Sequence, residues 1–135
     1  MARTGEGAQA VYAWVRAGDA WTHAGELAKA AAAYEAGVAL GGESIVGWAA
    51  TAGLGHAKAA LDDVDGAIAV YQNVSNGDDV IAQQALYEVG MLQLEAGRNT
   101  DAVATFKDFS TRFSDSWLQL QVADALAQAQ SGGEG

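Results

Sequence analysis

The chain has no cysteine and no proline, and its seven basic residues face 17 acidic ones. Lack of cysteine excludes disulfides, thiolate metal sites and a cysteine nucleophile, but leaves the compartment open. A chain of this length would ordinarily carry about six or seven prolines. Its absence, with few lysines and much alanine and glycine, fits a biased genome, a salt-adapted host or an engineered sequence. The formal charge of −10 opposes binding to phosphate backbones and to anionic membrane surfaces. The three lysines, Lys29, Lys58 and Lys107, form no patch. No apolar run approaches the ~20 residues of a membrane span. Nucleic acid and membrane insertion are therefore not expected. The opening Met1-Ala2-Arg3-Thr4-Gly5-Glu6-Gly7 lacks the apolar stretch of a secretory signal. The compartment is left unassigned: the chain as written reads as cytoplasmic, and a removed signal would allow the periplasm.

What is present is a core-forming composition with an internal repeat. Half of the 135 residues are apolar, enough for one folded domain. Three landmarks recur in one register. Gly18, Gly55 and Gly90 are 37 and 35 residues apart, as are Ala30, Ala67 and Ala102, and again Tyr34, Tyr71 and Phe106. Each unit reads as two helices around a short turn. Trp14, Ala17, Gly18 and Trp21 share a face in the first, at i, i+3, i+4 and i+7. After Ala24-Gly25-Glu26, the face Leu27, Ala30, Ala31, Tyr34 and Val38 follows. The second unit turns at Asp62 to Gly66 and buries Ala67, Ile68, Tyr71 and Val74. The third turns at Ala96-Gly97-Arg98-Asn99 before Ala102, Val103, Phe106 and Phe109. Small residues at the recurring positions let two antiparallel helices approach closely, with each glycine expected to face its alanine across the crossing. A last helix, 117–130, carries Leu118, Val122 and Leu126. Residues 1–10 are expected to be flexible and residues 131–135 disordered.

These landmarks resemble the tetratricopeptide repeat. The resemblance covers residues 11–44, 48–81 and 83–116, three repeats plus a capping helix over 117–130. Trp14, Gly18, Trp21, Ala30 and Tyr34 match in the first, Leu54, Gly55, Ala67 and Tyr71 in the second, and Gly90, Ala102 and Phe106 in the third. Lys58 departs from the usual aromatic, and Gly42, Asp79 and Ser114 stand where proline usually closes a repeat. The stretch from Ala85 to Ser116 is similar to repeats of bacterial cell-envelope proteins such as the coordinator of the Tol–Pal system. The resemblance implies an all-α, right-handed α-solenoid of three helix-turn-helix repeats. It further implies a non-catalytic scaffold that holds a peptide or helix of another protein in its concave groove. The alternative is a self-associating structural module, a homodimer or a stack.

By the same resemblance, the groove is lined by the first helix of each repeat. Its expected partner-binding residues are Tyr12, Val15, Asp19 and His23, then Ala52 and His56, then Gln84, Tyr87, Glu88, Met91, Leu94 and Glu95. Such a surface, apolar with acidic margins, suits an apolar to weakly basic segment. The family members that clamp acidic chaperone tails use Lys, Arg and Asn here, which this chain lacks. No catalytic residue, cofactor or metal ligand set is expected. His23 and His56 with Asp19 or Glu88 could gather a metal, but two histidines in an acidic chain more often lie on the surface. Asp62, Asp63 and Asp65 fail the calcium-loop pattern at both ends, at Leu61 and Gln72, and read better as helix caps. Gly53-Leu54-Gly55 follows no strand and is no nucleotide loop. Asn73-Val74-Ser75 matches a glycosylation acceptor only as a short motif. Trp14 and Trp21 read as core.

Overall fold

The computed structural model describes residues 4–41 and 44–133. Among them are seven helices and no strand: α1 Thr4–His23, α2 Leu27–Gly41, α3 Ile45–Ala60, α4 Val64–Gln72, α5 Val80–Glu95, α6 Asn99–Arg112 and α7 Gln119–Gly133. The fold is an all-α helical repeat. The chain divides into two compact units, Met1–Val70 and Tyr71–Gly135.

In the first unit α1 packs on α2, and both pack on α3. The core joins Val11 and Val15 of α1, Ala30 and Tyr34 of α2, and Ala50, Leu54 and Ala57 of α3. Tyr34 is its largest member. Its ring lies so close to Gly18 on α1 and Gly53 on α3 that a Cβ at either position would overlap it. In the second unit α6 lies against both α5 and α7. Phe106 and Phe109 of α6 are fully buried there, with Leu86 of α5 and Val122 of α7. Gly90 of α5 admits the Phe106 ring as Gly18 admits Tyr34. Gly18 and Gly90 thus make room for an aromatic ring 16 residues later, where a facing alanine was expected. Ala30, Ala67 and Ala102 are nonetheless fully buried.

The three turns close identically. Glu26 N–H donates to the Trp21 carbonyl at 2.9 Å and Gly25 N–H to that of Thr22 at 3.0 Å. Asp63 and Asp62 do the same toward Lys58 and Ala59, and Arg98 and Gly97 toward Gln93 and Leu94. This bonding pair ends a helix through one left-handed residue. That residue is Gly25 at φ 78°, Asp62 at φ 65° and Gly97 at φ 76°. These positions keep the 37 and 35 spacing.

Capping starts the helices. Oxygens of Ser44, Asp63 and Asp79 accept from the N–H groups of Gly47, Gly66 and Ala82 at 2.8, 3.0 and 2.8 Å. Asp79, where a repeat-closing proline was the usual residue, therefore begins the next helix. The connector before it is tied down by Arg112, whose Nη2 donates to the carbonyls of Ser75 and Gly77 at 2.7 and 3.1 Å.

Several expectations are corrected. Residues 4–10, expected to be flexible, are the opening turns of α1, where half-buried Ala8 and Ala10 extend its packed side. Residues 131–133, expected to be disordered, continue α7, whose Ala129 is fully buried and whose Gly132 comes close to Asn99. Residues 1–3 and 134–135 lie outside the described residues. Trp14 and Trp21 are not core: they remain 43% and 39% exposed, because the buried stripe of α1 runs through Val11, Val15 and Gly18. Helix α4 stops at Gln72, leaving Val74 half-buried in the turn.

Two measurements test these joints. In an open helix Gly→Ala gains about 1 kcal/mol. Gly90→Ala is expected instead to lose about 1–3 kcal/mol through overpacking against Phe106. Paired with Phe106→Leu, which empties that space, the same change should become stabilising; chemical denaturation of the four chains measures the coupling. Separately, Asp62→Gly removes a side chain from a left-handed position and should raise stability by about 0.5–1 kcal/mol. A lower melting temperature for that variant would show that Asp62 is not strained.

Candidate functional site

The residues expected to bind a partner lie on α1, α3 and α5. On α1, Tyr12, Asp19 and His23 are exposed; Arg16 stands with its guanidinium carbon 5.8 Å from the centre of the Tyr12 ring. Val15, expected on this face, is instead 9% exposed and belongs to the core of the first unit. It stands at i+4 from Val11, on the same buried side of α1. Asp19 is not a free margin charge, since its Oδ1 accepts from the Tyr34 hydroxyl at 2.6 Å. Burial, and then this bond to a carboxylate, push the Tyr34 phenol above its ordinary pKa. On α3, His56 is exposed and Ala52 half-buried.

The face is denser in the second unit. Tyr87, Met91 and Leu94 of α5 are half-buried and pack against the core there. The Tyr87 ring lies 6.4 Å from that of Phe106, tilted by 49°. Each side chain therefore has one side in the core and one at the surface. Gln84 donates to Glu88 Oε1 at 3.3 Å, and Glu95 is exposed at the end of the helix.

Electrostatics single out Tyr87. Its phenol is raised above the ordinary value by burial, then by the negative fields of Glu88, Asp124 and Glu95. Glu88 also acts on Tyr71, whose phenol burial holds far above the usual range. Helices α5 and α7 carry three charged residues, Glu88, Glu95 and Asp124, and all are acidic. Asp124 is the residue that sequence reasoning missed, because α7 was taken only as a cover. Its signal was available: it is the single charge in α7.

The other candidates resolve differently. Among the described residues no three of His, Cys, Asp and Glu gather as a metal site. Asp63 caps α4 and also meets Lys58 Nζ at 3.6 Å. In the Asn73-Val74-Ser75 triplet the Ser75 side chain is buried and its hydroxyl donates to the Gln72 carbonyl at 3.2 Å. An open hollow of about 580 Å3 beside it includes Asn73, Asn76, Thr105 and Arg112, with Arg112 already committed to the connector. No described helix is long and apolar enough to cross a membrane.

Hairpins with one turn geometry, one aromatic–glycine register and an exposed first-helix face define a helical-repeat protein. Residues 84–116, the α5–α6 hairpin and the turn after it, match the family model of the tetratricopeptide repeat. This stretch is a tetratricopeptide repeat, and repeats of that family mediate protein–protein interaction, typically without catalysis. No curated protein matches the chain.

The raised phenols carry a consequence for stability. Folded Tyr34, Tyr71 and Tyr87 hold their protons to higher pH than in the unfolded chain. Their contribution is complete below about pH 10, the ordinary tyrosine value. It is lost as pH rises from there through the folded values, because the unfolded chain then binds fewer protons. Melting temperature followed from pH 8 to 11 should fall at the alkaline end. Tyr34→Phe should flatten part of that fall; an unchanged slope would show that Tyr34 is not the titrating group.

Proposed function

We propose that the protein is a non-catalytic interaction module that holds a peptide or helix of another protein against α5 and α7 of the second unit. The observation that carries this reading is the half-buried apolar face of Tyr87, Met91 and Leu94 on α5, on helices whose only charges are the acidic Glu88, Glu95 and Asp124. A segment seated there lays apolar side chains on Tyr87, Met91 and Leu94. One Lys or Arg of the segment reaches the Tyr87 ring, where a cation is attracted both by the ring face and by the carboxylates around it. The partner is thus apolar to weakly basic. In the first unit, considered by itself, Tyr12, Asp19, His23, Ala52 and His56 are proposed as partner-binding positions of α1 and α3. Nothing in this chemistry calls for a cofactor, and net negative charge disfavours nucleic acid.

A peptide array probed with the full chain tests this. Bound sequences should be apolar with one or two Lys or Arg, and affinity should fall between low and high salt. Glu88→Gln and Asp124→Asn should each weaken the best peptide by about three- to tenfold, as partly exposed charges do. Isosteric changes are preferred over Tyr87→Ala or Met91→Ala, because truncating those core-packed side chains removes stability as well. Binding of acidic peptides, or no effect of either variant, overturns the proposal.

A further inference from the structure

The connector between α4 and α5 carries a reactive pair that the proposed binding face does not use. The chain has three asparagines, Asn73, Asn76 and Asn99, and glycine follows only Asn76. A side-chain amide one residue before glycine is labile. The next main-chain nitrogen can attack the amide carbon, and no Cβ on that residue stands in the way. Folded structure normally prevents this by holding the N–H in a hydrogen bond. Asn76 and Gly77 have no such protection. Both are exposed, in a segment outside any helix. Among the described residues the Gly77 N–H donates to no acceptor, and the Asn76 carboxamide has no hydrogen-bond partner.

The comparable sites are blocked. Val74 follows Asn73 with a Cβ-branched side chain, and its N–H already donates to the Tyr71 carbonyl at 3.1 Å. Thr100, also branched, follows Asn99 inside α6. At Asp65-Gly66 the same ring could close by loss of water. There both residues lie in α4, and the Gly66 N–H donates to Asp63 Oδ1 at 3.0 Å. We propose that Asn76 is a site of self-modification, converted through a succinimide to aspartate and isoaspartate, and that the isoaspartyl product undoes the Arg112 tie on the connector.

The Gly77 nitrogen gives its proton to hydroxide and bonds to Cγ of Asn76. The Cγ–Nδ2 bond then breaks, and the leaving nitrogen takes a proton from water and departs as ammonia. Water opens the resulting imide. Cleavage of the new Cγ–N bond leaves aspartate in an ordinary main chain. Cleavage of the original peptide bond leaves isoaspartate, in which the chain runs through the former side chain and the α-carboxylate is free. The net change is one water in and one ammonia out, with no oxidation or reduction.

Arg112 makes the change matter to the fold. Its Nη2 donates to the carbonyls of Ser75 and Gly77, one on each side of Asn76, at 2.7 and 3.1 Å. Isoaspartate lengthens the main chain between those carbonyls by one carbon, so the pair no longer fits one nitrogen. The loosened segment leads directly to Asp79, which caps α5. The inference is independent of the α5–α7 binding face.

Ageing the full chain in mildly alkaline buffer tests it. Peptide mass spectrometry should show Asn76 gaining the mass difference between O and NH, while Asn73 and Asn99 keep their amides. An isoaspartate-specific methyltransferase should label the aged chain and not the fresh one. The aged chain should melt about 3–6 °C lower, as loss of a charge-assisted hydrogen bond implies. Gly77→Ala should stop the conversion. A Cβ there meets Ala82 Cβ at 3.7 Å and Asp79 Oδ1 at 3.9 Å, both ordinary contacts, so the fold accepts it. If that variant nonetheless melts early, Asn76→Gln, whose longer side chain closes a larger ring, should be equally inert. In Arg112→Gln the tie is already absent, and ageing should lower the melting temperature less than in the wild type. An amide retained at Asn76, conversion as fast at Asn73, an aged chain that melts like the fresh one, or an equal drop in Arg112→Gln overturns the proposal.

Discussion

Aromatic rings seated on glycine hold these hairpins together. A helix crossing is normally spaced by its side chains, at 8–10 Å between axes. Removing the Cβ from one helix lets a ring on its partner lie against bare backbone, so a large apolar group is buried without widening the crossing. Tyr34 does this twice, against Gly18 and Gly53. It thereby fixes α2 to α1 and to α3 at one point, and its hydroxyl donates to Asp19, the residue after Gly18 on α1. Phe106 does it once, at Gly90, in a core that α7 completes. Glycine lowers helix propensity by about 1 kcal/mol, whereas burying an aromatic ring contributes about 1.5–3 kcal/mol. The exchange favours packing, and it makes each joint intolerant of even one added methyl group.

The same joints explain how much of the fold was legible. Three residue types repeating at 37 and 35 announced three hairpins, because each was required by the same packing geometry. The partner of each glycine was not legible. Small residues suggested glycine against alanine, while the ring that needs the space lies 16 residues along the chain and is no closer in pattern. Gly53 shows the limit most clearly: it belongs to no recurring triplet, yet its missing Cβ is what admits Tyr34 to α3. The left-handed turn was half legible. Gly25 and Gly97 marked it, but Asp62 hid its third occurrence, since aspartate there reads equally well as a cap.

Site residues were less legible than core residues for a physical reason. A face pattern gives the direction of a side chain but not what stands in front of it. Val15 and Tyr12 differ by three positions and were assigned together; one is buried in the core shared with α2 and α3 and the other is open. Trp14 and Trp21 erred in the opposite sense. Aromatic size suggested core, but the deepest positions of α1 went to Val11, Val15 and Gly18, leaving the larger rings at the margin. Asp124 was overlooked because a helix that covers a core has a second face, and one charge on it is enough to matter when α5 brings two more.

Charge placement then separates two kinds of surface on an acidic chain. At α5 and α7 the half-buried Tyr87 sits among helices whose only charges are Glu88, Glu95 and Asp124, and that negative field is what would favour a cationic visitor. Along α1, by contrast, exposed Ala13, Ala20 and Ala24 stand beside the partly exposed Trp14 and Trp21. Both surfaces follow from how little basic charge there is to distribute: of seven basic residues, Arg112 is taken by the connector, Lys58 by Asp63, and Lys29 by Trp21. With these three cations held in internal contacts, fewer remain to offset the 17 acidic residues at the surface.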